Sequence, residues 1–193
     1  MSKSVNIMLA GVGGQGVLLA SEVISKVAME KGYDVKKSEV HGMAQRGGSV
    51  VSNVRFGEKI YSPIIAEGEA DILLAFEKLE ALRWLNYLKE DGVIITNTQK
   101  IDPLPVANGK EKYPENVMNK LKNSGHKIIS LDALSKAREA GTQKAINTVL
   151  LGALANEIDI SKGLFEKVIK ESVPESTIEI NTTAFKAGFE ATS

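Results

Sequence analysis

A short glycine-rich run near the start of the chain carries the residues best suited to chemistry. It comprises Gly11, Val12, Gly13, Gly14, Gln15 and Gly16, and it lies between an apolar stretch (4–9) and an amphipathic one (15–31). Glycines let the backbone turn sharply and bring bare N–H groups close to a ligand. A helix that follows directs its positive end at the same place. The pattern therefore predicts a cradle for a phosphate-sized anion, built from the N–H groups of residues 12–16.

Two other interpretations of this run stay open. Gly11, Gly13 and Gly16 match G-x-G-x-x-G, and Glu39 stands about where an NAD or FAD site needs an acidic residue for the ribose hydroxyls. The second predicted strand, 33–40, is polar, which weakens that interpretation because central strands of such sheets are usually apolar. Alternatively, the glycines only allow close packing of a helix on a strand, and no ligand binds.

A second candidate region, residues 41–48, contains a histidine, an arginine and three glycines without regular periodicity, so we expect a loop. Arg46 stands beside Gly47, a setting that suits a guanidinium presented to an anion. His41 could hydrogen-bond or titrate near a ligand, or it could be an ordinary loop histidine with Glu39 as its neighbour. Arg46 and His41 are the candidate catalytic residues, and the sequence does not identify the catalytic group itself.

Alternating strand and helix patterns must position these two regions. The residue patterns predict strands near 4–9, 33–40, 49–56, 71–76, 92–97 and 127–131. They predict helices over 15–31, 77–88, 114–121, 132–141, 143–157 and 161–169, with a last helix or a tail over 174–189. The polar strand at 33–40 is expected near a sheet edge or beside a partner. Gly57-Glu58, followed by a short extended segment, predicts a hairpin over 49–61. We expect an α/β fold with three layers: a mixed, mostly parallel sheet, helices on both faces and a β-hairpin insertion. Residues 1–193 are expected to form a single domain.

Two polar residues interrupt the most hydrophobic of the predicted helices. Asn147 and Thr148 lie in the apolar run 143–157, which is expected to cross the core. Their side chains could bond the glycine run or a partner, although bonding within the helix is the more ordinary role.

Composition excludes several function classes. The 193 residues are 43% hydrophobic and 25% charged, with 24 basic and 24 acidic side chains, so no global charge attracts nucleic acid or an anionic membrane. Without cysteine the chain can hold neither a disulfide nor an iron–sulfur cluster on its own thiolates, and with two histidines no metal site is expected. No apolar run approaches the roughly 20 residues that span a bilayer, and the N-terminus lacks a signal-peptide pattern. We therefore expect a cytoplasmic protein.

Six segments, taken together and in order, resemble the gamma-type subunit or domain of 2-oxoacid:ferredoxin oxidoreductases. They are GVGGQGVLLAS at 11–21, SEVHGMAQRGGSVVSNVRFG at 38–57, YSPII at 61–65, EADILLAFEKLEALR at 69–83, INTVLLGALA at 146–155 and IEINTTAFKAGF at 178–189. Within that family, HGMAQRGG at 41–48 is similar to the small (beta) subunit of the indolepyruvate enzymes. Pyruvate and 2-oxoglutarate relatives typically carry a Ser-Tyr-Gly-Pro-Glu-type run at that place.

The resemblance implies a non-thiamine subunit of an enzyme that oxidatively decarboxylates a 2-oxoacid with CoA, giving acyl-CoA, CO2 and reduced ferredoxin. The form of residues 41–48 favours indolepyruvate or another arylpyruvate, with 2-oxoglutarate or another 2-oxoacid as the alternative. Thiamine diphosphate, Mg²⁺ and the iron–sulfur clusters would then belong to a larger partner subunit, and this chain would be inactive alone. A stand-alone NAD- or FAD-binding protein and a non-catalytic assembly subunit are the alternatives from other classes.

The resemblance also suggests places for the candidate residues. Residues 11–16 would lie near CoA and the interface with the partner. Arg46 would meet the substrate carboxylate, a CoA phosphate or an acidic residue of the partner.

Overall fold

The order of the strands determines which loops meet. The computed structural model describes residues 4–41 and 48–192, and within them one six-stranded sheet is formed by β1 (Val5–Val12), β2 (Asp34–His41), β3 (Ser49–Gly57), β4 (Ala70–Ala75), β5 (Leu88–Asn97) and β6 (Lys127–Leu131). The order across the sheet is β2-β3-β1-β4-β5-β6. β1, β4, β5 and β6 pair in parallel, whereas β3 runs antiparallel to both β1 and β2. The predicted mixed, mostly parallel sheet is confirmed, and so is the edge position of the polar strand β2.

Helices cover both faces of this sheet. They are α1 (Val17–Glu30), α2 (Lys78–Arg83), α3 (Leu104–Ala107), α4 (Val117–Lys122), α5 (Ala133–Glu139), α6 (Ile146–Ala155), α7 (Lys162–Ser172) and α8 (Ile178–Glu190), with short 3₁₀ turns at Leu85–Tyr87, Gln143–Ala145 and Glu175–Thr177. α1 and α5–α8 pack through one core on one face, and α2 and α4 pack through a second core on the other. The three-layer prediction is therefore confirmed. The segment 174–189, left open between a helix and a tail, is helical.

The predicted hairpin over 49–61 is wrong in its position. The structure ends β3 at Gly57, and no strand is described between Gly57 and Ala70. Side chains hold that segment instead of a strand ladder: the Asp34 carboxylate accepts the N–H of Ile60 at 2.9 Å, and the Arg55 guanidinium donates to the carbonyl of Ile64. The antiparallel insertion of the fold is the pair β2–β3, which flanks residues 42–48.

The helix predicted over 77–88 is shorter in the structure. Glu77 caps α2 by accepting the N–H groups of Leu79 and Glu80, but the helix ends at Arg83. After one 3₁₀ turn the chain enters β5 at Leu88, which is 5% exposed. The buried Leu88 therefore begins the strand, and residues 85–87 form a 3₁₀ turn instead of the last turn of the predicted helix.

Two helices cross at unusually short range. A Cβ atom on Gly152 of α6 would lie 2.1 Å from the carbonyl oxygen of Phe185, and one on Gly188 of α8 would lie 1.9 Å from that of Val149. Real Cβ atoms do not approach so closely, so this crossing requires glycine at both positions. All ten residues of α6 are buried, as the sequence predicted for a helix that crosses the core.

Candidate functional site

The glycine run and Gly48, the last residue of the second region, meet at the carboxyl end of the parallel strands. β1 runs directly into the glycine run, and Val12 stands opposite Ser49 in the β1–β3 ladder. The N–H of Gly13 donates to the carbonyl of Gly48 at 3.0 Å, which joins the glycine run to the last residue of the second region. In open α/β sheets, ligands usually bind at the carboxyl ends of the strands. The fold therefore brings the glycine run and Gly48 to one such edge.

The side chain of Gln15 turns inward and fastens the glycine run to the sheet. Its Oε1 accepts the N–H of Val12 at 2.8 Å, and its Nε2 donates to the carbonyl of Phe76 at 2.8 Å. The same carbonyl accepts Asn97 Nδ2 at 3.3 Å, while Asn97 Oδ1 accepts the N–H of Ala133 at 3.2 Å. We call these two side chains, Gln15 and Asn97, the strand-end clasp. It links the ends of β1, β4 and β5 to the start of α5.

Sequence reasoning missed Asn97. Its side chain is fully buried, although it ends an apolar strand whose other residues gave no reason to expect a polar core position. The available signal was the polar residue at the carboxyl end of a strand, where parallel sheets place functional groups. Gln15 was expected to offer its N–H to a ligand, and the structure shows that its side chain instead supports the loop.

Hydrogen bonds within the protein occupy some of the N–H groups of the predicted anion cradle. The N–H of Val12 is bonded to Gln15 and that of Gly13 to Gly48, so neither is free for a ligand. Gly14 and Gly16 are the residues of the run whose N–H groups have no acceptor within the described ranges. The first-turn N–H groups of α1 add to them, because those groups have no partner inside the helix. The anion cradle over residues 12–16 stays a prediction, and Gly14 and Gly16 are its residues with an available N–H group.

The glycines of the run differ in their roles. A Cβ on Gly11 would lie 2.7 Å from Val17 Cγ2 and 2.9 Å from Phe76 Cβ, so Gly11 serves close packing of α1 on the sheet. Gly14 and Gly16 have φ angles of 98° and 79°, which favour glycine. Gly14 faces open space, whereas Gly16 is covered by Asn147. Close packing of α1, the second of the open interpretations, therefore accounts for Gly11, and a positive φ angle accounts for Gly14 and Gly16.

A polar cleft of about 380 Å³ opens beside the run. Its lining comes from the glycine run, the residues after β5 and the starts of α5 and α6: Gly14, Gln15, Gln99, Ile101, Leu134, Gln143, Lys144 and Ile146. Lys144 is its cation, and none of these described residues is acidic. The N–H of Gly14, the Lys144 ammonium and two glutamine side chains make the cleft suitable for an anionic, hydrogen-bonding ligand.

A buried carboxylate anchors the start of β3 beside this edge. Glu80, 1% exposed, accepts the Ser49 hydroxyl at 2.5 Å and the Arg83 guanidinium at 2.8 Å. A buried carboxylate needs such partners because removing its charge from water is costly. Glu80 therefore ties the residue that follows the second region to helix α2.

A second buried carboxylate, Glu77, holds the connection after β5. It accepts the Tyr113 hydroxyl at 2.6 Å and the N–H of Ile101 at 3.3 Å, in addition to the two N–H groups that begin α2. Burial raises the pKa of Glu77 above its ordinary value, and these hydrogen bonds oppose that rise without cancelling it. Burial and the neighbouring Glu77 carboxylate raise the pKa of Tyr113 as well.

The strand order does not fit the dinucleotide role of Glu39. In a doubly wound site the acidic residue ends the strand next to β1, but here β3 lies between β1 and β2. Glu39 instead forms an ion pair with Lys37 at 2.9 Å. Arg46 and the side chain of His41 lie outside the described residues, so their roles stay predictions.

Two further observations concern the described residues alone. They contain no group of three or more histidine, aspartate or glutamate side chains placed to hold a metal ion. Among them, no helix combines the length and apolarity that a membrane crossing requires.

A mixed sheet with helices on both faces and a glycine loop clasped at its carboxyl end defines an α/β protein of the three-layer kind. The comparisons identify which one: the chain belongs to the pyruvate ferredoxin/flavodoxin oxidoreductase family, whose model matches residues 6–191. This confirms the resemblance seen in the six sequence segments.

Relatives and solved structures refine this placement. The chain is 43% identical to indolepyruvate oxidoreductase subunit IorB of Thermococcus kodakarensis, over 98% of this chain and 96% of the relative. It is 31% identical to the common gamma subunit of the pyruvate/ketoisovalerate oxidoreductases of Pyrococcus abyssi, over 97% of both chains. The structure of the keto/oxoacid ferredoxin oxidoreductase gamma subunit from Geobacter sulfurreducens matches with a TM-score of 0.72 and 27% identity, over 97% of this chain and 98% of that one. The chain is therefore a 2-oxoacid:ferredoxin oxidoreductase subunit of the gamma type.

Proposed function

We propose that this chain is the non-thiamine subunit of an indolepyruvate:ferredoxin oxidoreductase. With CoA, the complex converts indolepyruvate and related arylpyruvates to arylacetyl-CoA and CO2, and two electrons pass to ferredoxin. The observation that carries this choice is the 43% identity, over nearly the whole chain, to a subunit named for indolepyruvate, against 31% to one named for pyruvate and ketoisovalerate. The sequence HGMAQRGG at 41–48 supports the same choice.

The cofactors belong to a larger partner subunit in this proposal. The chain has no cysteine, so it cannot ligate an iron–sulfur cluster through thiolates. Thiamine diphosphate and Mg²⁺ bound to the partner supply the decarboxylation chemistry. This single-domain chain contributes a wall of the shared site and is inactive alone.

The part played by this chain is to bind and orient the anionic co-substrate. The polar cleft at Gly14, Gln99 and Lys144 suits the phosphate groups of CoA, and the clasp keeps the glycine run in place. Arg46, two residues before Gly48 in the sequence, adds a guanidinium for the substrate carboxylate, a CoA phosphate or an acidic residue of the partner. His41 is a further candidate contact, next to Val40 at the end of β2.

Reconstitution with the larger subunit tests the proposal. We expect the complex, supplied with CoA and ferredoxin, to turn over indolepyruvate and phenylpyruvate with a kcat/KM at least about tenfold above that for pyruvate or 2-oxoglutarate, a difference near 1.4 kcal/mol in transition-state binding. Neither subunit alone should support the reaction. A preference for 2-oxoglutarate or pyruvate would refute the assignment of indolepyruvate as the substrate, while the chain would still be a subunit of a 2-oxoacid:ferredoxin oxidoreductase. A rise in the melting temperature of this chain with NAD or FAD, and no assembly with the larger subunit, would refute both.

The CoA contact has its own test. Lys144→Gln in the assembled complex should raise the KM for CoA several-fold and leave kcat for indolepyruvate near the unsubstituted value, because a surface cation contributes mainly to binding. Lys122→Gln is the matched control, since Lys122 is exposed on α4, on the opposite face of the sheet. An unchanged KM for CoA in both variants would show that CoA does not use this cleft.

A further inference from the structure

A second cleft, of about 400 Å³, lies next to the polar one and shares Lys144 with it. It is bounded by α1, α6 and the start of α8, and its walls are mainly apolar: Leu19, Ala145, Val173, Pro174 and Ile180. The polar groups of its lining are two threonines, two asparagines and Lys144, and none of the described residues that line it is acidic. We call this the apolar cleft. Its size falls within the range of small-molecule sites.

Asn147 is the unusual side chain in the apolar cleft. It is 3% exposed, and its Nδ2 makes no hydrogen bond to any described residue. The neighbouring Thr148 donates its hydroxyl to Asn181 Oδ1 at 2.7 Å, so Asn181 is satisfied without Asn147. The described polar atoms that are fully buried without a partner do not include Nδ2 of Asn147, so this donor keeps some access to the cleft that Asn147 lines. A ligand in the cleft would supply its acceptor.

The position of Asn147 indicates what charge that acceptor carries. Its amide lies against Gly16, where a Cβ would be 2.8 Å from Nδ2. Gly16 is the N-cap of the 14-residue helix α1, and no side chain caps it. Helix α6 continues from the 3₁₀ turn at the edge of this cleft, where the Thr142 hydroxyl accepts the N–H of Lys144. The uncapped start of α1 and the Lys144 ammonium supply positive charge and donors, and they favour an anion.

The apolar walls indicate the rest of the ligand. A free inorganic anion would use the start of α1 and Lys144 but would leave Leu19, Val173 and Ile180 exposed to water. Burying apolar atoms against such walls is favourable because it removes them from water. A ligand with a single anionic group and an apolar body would satisfy both parts of the cleft.

We propose that the apolar cleft binds a small carboxylate with an apolar body, its carboxylate at Asn147, Lys144 and the start of α1. The close crossing of α6 and α8 at Gly152 and Gly188 fixes the two helices that form the walls, so the site exists before the ligand arrives. Since Lys144 also lines the polar cleft, an occupant here would compete with an anion bound there. The proposal goes beyond the oxidoreductase function and does not depend on it.

Calorimetric titration of the full chain tests the proposal. The probes are phenylacetate and indole-3-acetate, which carry an apolar body on a carboxylate, with acetate, inorganic phosphate and neutral indole as controls. We expect the two arylacetates to bind at least about tenfold more tightly than any control, because both parts of the ligand contribute. Asn147→Leu, which keeps the side-chain volume and removes the donor, and Lys144→Glu, at an exposed position that folding tolerates, should each weaken arylacetate binding by about tenfold or more. Lys122→Gln should leave it unchanged.

Each other outcome overturns the proposal. Equal affinity for phosphate, acetate and the arylacetates would show that the apolar walls are not used. Equal affinity for neutral indole would show that the apolar cleft does not recognise an anionic group. Arylacetate binding that survives both Asn147→Leu and Lys144→Glu would place the ligand elsewhere, and no binding at millimolar concentration would mean that the cleft is unused. A failed substrate assay of the complex affects none of these measurements.

Discussion

Replacing Gln15 by alanine tests whether the strand-end clasp holds the glycine run. The substitution removes the acceptor of the Val12 N–H and one donor to the Phe76 carbonyl. Val12 is 5% exposed, so its N–H has little access to water. The Phe76 carbonyl keeps Asn97 as a donor at 3.3 Å, so the variant leaves one buried group unpaired instead of two.

The expected loss follows from that one unpaired group. A buried donor without an acceptor costs about 1–3 kcal/mol, so we expect the free energy of unfolding to fall by about 2 kcal/mol. For a chain of this size, each kcal/mol lowers the melting temperature by about 2–4 °C, which gives a fall of about 4–8 °C. Gln143→Ala is the matched control, because Gln143 lines the same cleft from an exposed position and should change stability by less than about 0.5 kcal/mol.

Calorimetric or circular-dichroism melting of the two variants measures the difference. A Gln15→Ala melting temperature equal to that of Gln143→Ala would refute the clasp, since no buried group would then have lost its partner. The assembled complex gives a second readout. If Gly14 and Lys144 bind CoA, loosening the run should raise the KM for CoA more than it lowers kcat.

Three other substitutions probe the fold around the site. Tyr113→Phe should cost about 1–2 kcal/mol at pH 7 in denaturant unfolding and less at pH 4. The Tyr113 hydroxyl favours the ionised form of Glu77, so its removal raises the already raised pKa of Glu77 further. The variant therefore loses stability relative to the unsubstituted protein as the pH rises through that pKa, and an equal cost at both pH values would contradict this. Asp132→Ala should cost about 1 kcal/mol at pH 7 through loss of the α5 cap, and the difference should vanish as the pH falls through the pKa of Asp132, which its hydrogen bonds hold below the ordinary value. Gly152→Ala should lower the unfolding free energy by about 3 kcal/mol or more, whereas Gly163→Ala, with open space at its Cβ, should be neutral or slightly stabilising; equal effects would show that the α6–α8 crossing relaxes freely.

Sequence patterns predicted the elements whose local signal agrees with their packing. β6 was expected at 127–131 and lies at Lys127–Leu131, because its apolar run is short and bounded by polar residues. The cap at Asp132 was legible because aspartate before an amphipathic run is the usual start of a helix. The polar composition of 33–40 correctly indicated a strand at the edge of the sheet. Lys37 of this strand forms a hydrogen bond with Glu22 on α1.

The errors arose where long-range contacts overrule local pattern. Gly57-Glu58 looks like a hairpin turn, but the partner of β3 is the preceding strand β2, and side chains such as Arg55 hold the segment that follows. Local sequence patterns could not predict the strand-end clasp, because Gln15 and Asn97 are 82 residues apart in the chain and both donate to the Phe76 carbonyl. Glycine spacing predicted a ligand cradle but not that three of its N–H groups, those of Val12, Gly13 and Gln15, would be bonded within the protein.

The role of the glycine run therefore depends on the strands that lie beside β1. In a dinucleotide site the strand beside β1 would present an acid, and Glu39 would serve; the insertion of β3 moves that strand away and puts Gly48 against Gly13 instead. Gly14, whose N–H group stays free, lines the polar cleft together with Lys144, and Lys144 also lines the apolar cleft. Since the Lys144 ammonium cannot fully serve an anion in both clefts at once, the affinity of either ligand should fall when the other is present. Titrating CoA into the chain with and without saturating phenylacetate measures that coupling directly, and independent affinities would show that the two clefts do not share the cation.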